Sequence, residues 1–262
     1  MKTQEVPHYL RGFNDIFSYF DYTHSTHTVW NDFLNLAVYG LAYSREQARI
    51  DEIAARYKEK EQAKLWELFD CIVRLYADAK SEGEWIDPLG DYYEVLSSKG
   101  SKQWFGQFFT PHSVCEMIAQ ITAGADKPVG KANLDPACGS GRLLLAFNHL
   151  YPNNFMFGSD LDKTCVLMTA LNLCLQGAKG EVCWKNALDI NDHRLILAIN
   201  IATFDGVCLP SIIEIEKEQS FMYAMDMKLI AKKEPKLQVV APQPEELPKP
   251  KSTALRVQVS LF

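Results

Sequence analysis

Apolar residues recur at helical spacing through the first hundred positions. In TVWNDFLNLAVYGLAYS (28–44), Trp30, Phe33, Leu34, Ala37, Val38 and Leu41 fall on one face, with Ser25 or Thr28 as a cap. REQARIDEIAARYKEKEQAKLWELFDCIVRLYADA (45–79) continues the stripe through Ile50, Ile53, Ala54 and Tyr57, then Leu65, Leu68, Phe69, Ile72, Val73 and Tyr76. A helix buries such a stripe against a core, so residues 1–100 are expected to form a helical N-terminal domain. His24 and His27 stand three apart before the first long helix with nothing beside them to complete a metal site. They are expected to be solvated or locally hydrogen-bonded.

The period changes after residue 100. KANLD (131–135), NFMFGSD (154–160), EVCWKNA (181–187) and ATFDGVCL (202–209) read as strands. RLLLAFNHL (142–150) and KTCVLMTALNLCLQG (163–177) read as helices between them. Strands alternating with helices predict an α/β fold with a parallel, doubly wound sheet over residues 101–230. Pro111 suits a helix start, with Thr110 as cap for HSVCEMIAQI. From about residue 231 the chain becomes charged and carries five prolines in AKKEPKLQVVAPQPEELPKPKSTA, the composition of a flexible tail (231–262).

Composition narrows the function classes. The chain has 262 residues, 47% of them apolar and 23% charged, and no apolar run of membrane-spanning length. Its first residues, MKTQEVPHYLRG, hold no apolar signal core, so a cytoplasmic location is expected. Seven cysteines without a Cys-x-x-Cys pair read as reduced, mostly buried thiols, and no metal is expected. A net charge of −6 argues against nucleic-acid binding by the whole surface and leaves room for a local basic groove.

LDPACGSGRLL (134–144) carries the sharpest local signal. A strand ends at Asp135, a glycine-rich turn follows, and a helix begins near Gly141. Glycines at 139 and 141 would let a ligand approach the backbone at the helix N-terminus. Leu144 stands at the third glycine of a dinucleotide fingerprint, and no Gly-Lys-Ser/Thr follows, so neither of those two phosphate-binding loops is present. Asp160 ends the next strand, where a carboxylate accepts hydrogen bonds from ribose hydroxyls. The third strand leads to Asn186 and Asp189, placed for an adenine ring.

GQFFTP (106–111), DPACGSG (135–141), GSDLD (158–162) and KNALD (185–189) together resemble the S-adenosylmethionine-binding motifs of adenine-N6 DNA methyltransferases. The likeness is strongest to the methylation subunits of type I restriction-modification systems. DPLGDYYEVLSSKG (87–100) is similar to that family's helical lead-in. The resemblance covers residues 87–210 and implies a Rossmann-like methyltransferase sheet, DNA as substrate, a specificity or other partner subunit, and S-adenosyl-L-methionine as cofactor. It assigns Thr110 and Pro111 to the methionine end of that cofactor. Asp135, Ala137 and Gly139 would shape the pocket for its amino and carboxylate groups. Asp160 would bind the ribose, and Asn186, with Asp189 second, the adenine amino group. Phe109, Ser140, Gly141, Leu161 and Ala187 would belong to the same cofactor site.

That family places Asn/Asp-Pro-Pro-Tyr/Phe after its fourth strand. The amide and a proline carbonyl hold the N–H bonds of the target amine, and the aromatic ring stacks on the flipped-out base. Here the corresponding stretch is TFDGVCLPSII (203–213), which offers Pro210-Ser211 with neither amide nor aromatic. Loss of aligned acceptors costs orders of magnitude in rate.

The final QVSLF resembles the short peptide by which bacterial replication and repair proteins dock on the sliding clamp. Gln258 would sit at the pocket edge, with Leu261 and Phe262 filling it. The same stretch alternates Leu255, Val257, Val259 and Leu261 with Arg256, Gln258 and Ser260, as a half-buried strand does. Three classes stay open: an adenine methyltransferase needing a partner for target recognition, a catalytically impaired relative recruited to the clamp, and a methyltransferase acting on another acceptor.

Overall fold

The computed structural model describes residues 6–43, 46–98, 108–125, 127–204 and 207–233. GQ of the GQFFTP motif and the whole tail from residue 234, including Gln258, Leu261 and Phe262, lie outside the described residues. The N-terminal region is helical, as its apolar period predicts: α1 (Arg11–Phe17), α2 (Thr26–Gly40), α3 (Gln47–Ala54), α4 (Glu59–Glu82) and α5 (Pro88–Ser97). Ser25 caps α2, its hydroxyl accepting the Thr28 N–H at 3.1 Å. The stripe over 45–79 does not form one helix. Glu61 accepts the Lys58 N–H at 2.8 Å, which satisfies an orphan donor and starts α4 afresh after a break at residues 55–58.

Phe13 and Phe17 of α1, Trp30 and Phe33 of α2, and Tyr92 of α5 form one aromatic cluster, with Phe13 and Tyr92 edge to face at 4.8 Å. Edge-to-face rings add about 1 kcal/mol each beyond the area they bury. This cluster is continuous with the core beneath the sheet, so the helical region and the sheet are packed on each other.

Helix α6 (His112–Ala123) leads into β1 (Ala132–Asp135), α7 (Arg142–Leu150), β2 (Phe155–Asp160), α8 (Lys163–Gln176) and β3 (Lys179–Trp184). The three strands pair in parallel, as their alternation with helices requires, with Asp135 opposite Gly158 and Asp160 opposite Trp184. The α/β architecture is therefore the expected one. The fourth strand is not. It is β4 (Leu195–Ile199), and it runs antiparallel to β3, with Trp184 opposite Leu195 and Gly180 opposite Ile199. A parallel return needs a crossover of a dozen or more residues; the short stretch 185–194 holds no helix and permits only the reverse turn.

ATFDGVCL, expected to be that fourth strand, instead gives β5 (Thr203–Phe204) and β6 (Val207–Cys208), paired only with each other. Asp205-Gly206 separates them in sequence, and Asp-Gly between short β-prone segments is a strong hairpin signal. β7 (Ile212–Glu214) then returns antiparallel to β4, giving a mixed sheet of order β1-β2-β3-β4-β7.

Alternate side chains serve the two faces of this sheet. Met156, Val182, Leu197 and Ile199 join the core under the helices, whereas Phe157, Cys183 and Ile196 meet Met222 of α9 (Phe221–Lys233) on the other face. Glu181 anchors α9: its carboxylate accepts the Ser220 hydroxyl at 2.7 Å and the N–H groups of Phe221 and Met222 at 2.8 and 3.0 Å. A carboxylate there complements the helix dipole.

Candidate cofactor site

The loops after β1, β2 and β3 lie at one end of the sheet because those strands are parallel. After β1, Ala137 N–H donates to Asp135 Oδ1 at 3.1 Å and Gly141 N–H to the Cys138 carbonyl at 2.7 Å, closing a tight turn into α7. Gly139 has φ +55°, and a Cβ there would lie 2.7 Å from the Phe109 ring. Gly141 has φ +88°, and a Cβ would press on Thr169 of α8 at 2.9 Å. Any other residue at either position would strain the backbone and collide.

Asp160 links two of the loops. Its Oδ2 accepts the Gly139 N–H and its Oδ1 the Asp162 N–H, both at 2.9 Å. The third loop is tied to the second: Lys185 N–H donates to the Asp160 carbonyl at 3.0 Å, and the Trp184 indole to the Leu161 carbonyl at 2.9 Å. Asn186 Oδ1 accepts the Leu188 N–H at 3.0 Å, and Asp189 Oδ1 accepts the Asn191 N–H at 3.0 Å, so both side chains turn their own loop. Ala187 and Asp189 are exposed, and so are the apolar side chains of Leu161 and Leu188.

Phe109, Thr110, Asp135, Ala137, Gly139 and Ser140 converge on one cavity of about 230 Å³, which Arg142 also lines. Burial raises the Asp135 carboxyl above the usual range, the neighbouring Asp160 charge adds to this, and the Ala137 N–H opposes it. Thr110 is not the cap of α6. Pro111 takes that position without a side-chain bond, and the Thr110 carbonyl accepts from Arg142 at 3.3 Å.

Pro210 and Ser211 stand apart from all of these. Because β4 is antiparallel, its last residues lie beside the start of β3, at the end of the sheet opposite the loops after β1, β2 and β3. Ser211 is fully buried: its N–H donates to Asn200 Oδ1 at 3.0 Å and its hydroxyl accepts the Ala202 N–H at 3.1 Å. The Pro210 carbonyl accepts the Tyr43 hydroxyl at 2.7 Å. Asn200, at φ +55°, completes the junction by donating to the carbonyls of Cys174 and Ala178. The expected position of a reacting loop is a packed structural joint.

A buried ionic network under the cavity was not anticipated. Asp87, fully buried at the start of α5, accepts the Ser140 hydroxyl at 2.5 Å, Arg142 Nε at 2.8 Å, Asn172 Nδ2 at 2.7 Å and the Gly90 N–H at 2.9 Å. Arg142 reaches on to Asp91 at 2.8 Å, which also receives the Tyr9 hydroxyl. Burial alone would raise the Asp91 carboxyl; His112, Tyr9 and Arg142 together hold it below the usual range. The sequence signal was the Asp87-Pro88 helix start with a second acid one turn later, and an arginine directly after Gly141.

Three strand ends with a glycine turn on the first and an acid on the second are the arrangement of an α/β protein with its candidate site beyond the carboxyl ends of its parallel strands. The N-6 DNA methylase family model matches residues 84–208, just under half of the chain. The match begins just before Asp87 and so takes in the network beneath the cavity. Among similar proteins, the type I restriction enzyme MpnII methylase subunit of Mycoplasma pneumoniae is 40% identical over 85 residues, 31% of this chain and 15% of its own length. The MjaVII methylase subunit of Methanocaldococcus jannaschii is 27% identical over 121 residues, 44% of this chain and 20% of its own. The chain therefore spans a fifth or less of these two relatives. A type I restriction-modification methyltransferase subunit from Streptococcus thermophilus of known structure is 22% identical, with a TM-score of 0.32 over 47% of this chain and 27% of that one.

Proposed function

We propose that this chain binds S-adenosylmethionine at the loops after β1–β3 and serves as the cofactor-holding part of an assembly that methylates adenine N6 in DNA. The observation that carries this is the bond from Gly139 to Asp160, which sets a glycine turn and a ribose-type acid against each other. The donor set suits this cofactor. Asp135 lines a cavity that would take a cationic ammonium group, and Asp160 stands next to it through its bond to the Gly139 N–H. Each oxygen of Asp160 accepts one N–H bond, and a carboxylate has about four acceptor sites, which leaves capacity for ribose hydroxyls. Leu161 and Leu188 offer apolar surface to an adenine ring. The bound cofactor would supply an activated methyl group; the chain's own residues bind and orient it.

Methyl transfer also needs acceptors that align the target amine. Pro210-Ser211 lies at the far end of the sheet and its groups are engaged in packing, so a partner chain is the expected source of both base positioning and target recognition. The relatives named above are subunits of type I restriction enzymes, which agrees with such an assembly. Isothermal titration of the full chain with S-adenosylmethionine tests the reading. Saturable binding that Asp160→Ala weakens supports it, and absence of binding by the native chain sinks it.

A further inference from the structure

One face of β3 is matched to α9 along its length. Glu181, Cys183 and Lys185 alternate to the same side of the sheet. Glu181 accepts the first N–H groups of α9, Cys183 packs with Met222, and the Lys185 ammonium pairs with Asp226. Met222 and Asp226 stand four apart and so share one face of the helix. Asp226 has a second partner, His193, whose Nε2 lies 3.0 Å from the same carboxylate oxygen. The other ring nitrogen, Nδ1, has no partner among the described residues, so the Nε2 side orients the ring. The side chains of Lys185 and His193 are only 6% and 1% exposed. These two residues stand at either end of the connection from β3 to β4. Between them the loop bonds mainly to itself, with the Asn186 N–H on Asp192 at 2.8 Å and the Leu188 N–H on Asn186 Oδ1 at 3.0 Å. Leu188 at its tip is 96% exposed, so packing does little to hold it.

We propose that Asp226 is a positioning residue for the cofactor site: from α9, acting through Lys185, it holds the Asn186 loop against the Asp160 loop in the arrangement that would receive the nucleoside. This role rests on the cofactor reading proposed above. Lys185 is the link because it is tied twice. Its ammonium ends on Asp226, and its backbone N–H donates to the Asp160 carbonyl at 3.0 Å. Without the carboxylate, the Lys185 charge would be buried with no ionic partner, a costly state that it relieves by turning out to water. That movement would carry the neighbouring Asn186 away and strain the bond to Asp160. A site held ready before the ligand arrives binds more tightly than one that must be ordered on binding.

Calorimetric titration of full-chain variants with S-adenosylmethionine tests it. Asp226→Ala and Lys185→Met should each weaken binding about tenfold, and the double variant no more than the worse single, because both remove one link. Asp226→Asn, which keeps the shape and one acceptor, should fall between Asp226→Ala and the native chain, and it decides the matter where Asp226→Ala is unstable. Ser220→Ala loosens α9 at its Glu181 end without touching Lys185, and should retain native affinity. Native affinity in both Asp226 variants overturns the proposal, as do single losses that multiply in the double variant. An equal loss in Ser220→Ala also overturns it, since Asp226 would then only prop α9. Absence of binding by the native chain is a different result: it sinks the cofactor reading itself, and the positioning role with it.

Discussion

The backbone N–H of Gly139 donates to Asp160 Oδ2 at 2.9 Å, so the acid that ends β2 holds the glycine turn that follows β1. Asp160 therefore has two roles under the proposed function, shaping the turn and accepting ribose hydroxyls. Hydrogen bonds to charged groups contribute about 1.5–3 kcal/mol each. Asp160→Ala should weaken S-adenosylmethionine binding by roughly 10- to 100-fold by titration calorimetry. Asp160→Asn, which keeps one acceptor oxygen, should fall between the two.

Asp87→Ala should be among the most damaging substitutions in the chain. It would leave the buried Arg142 guanidinium without one of its two ionic contacts at 2.8 Å, the Ser140 hydroxyl without its acceptor, and Asn172 Nδ2 with the Ser140 carbonyl alone. Breaking a buried pair from one side costs about 3–5 kcal/mol. A matching drop in unfolding free energy from urea denaturation checks this. A loss below 1 kcal/mol, on the order of a surface pair, would mean the network is not the joint between α5 and the cofactor turn.

Local pattern made the parallel half of the sheet legible. The period-two runs, the glycine turn and the acid at 160 all signal within a few residues of one another. The end of the sheet was hidden for two reasons. RLILAIN is a short apolar run whose direction depends on the length of the preceding connection, and the Asp-Gly within TFDGVCL makes that stretch compatible in sequence with one strand or with a hairpin. The Asp87–Arg142–Asp91 network was invisible in a different sense. Its two acids lie more than fifty residues from Arg142, and nothing in either segment alone specifies the other.

Asp135 sets an expected pH dependence. Its carboxyl titrates above the ordinary value of about 3.9 because it is buried, with Asp160 nearby adding to the effect. A cationic cofactor group favours the ionised form, so binding to the protonated protein must release a proton. Affinity should be level at neutral pH and fall as pH drops through the raised Asp135 value. Calorimetry in buffers of different ionisation heat should show that release. Asp135→Asn should bind more weakly at neutral pH and lose this part of the pH dependence.

Ser211→Ala separates a scaffold from a reacting loop. The Ser211 hydroxyl accepts the Ala202 N–H in a fully buried setting, beside Asn200, whose left-handed backbone turns the chain out of β4. Removing that acceptor leaves one donor unsatisfied, at a cost of about 1–3 kcal/mol in stability. The cofactor loops stand at the opposite end of the sheet, so S-adenosylmethionine affinity should not change. A reacting serine would behave the other way, with stability intact and function lost. Denaturant midpoints alongside calorimetric affinity for the same variant tell the two apart. Reduced affinity in a variant of native stability would bring residues 210–211 back to the cofactor, against the antiparallel course of β4.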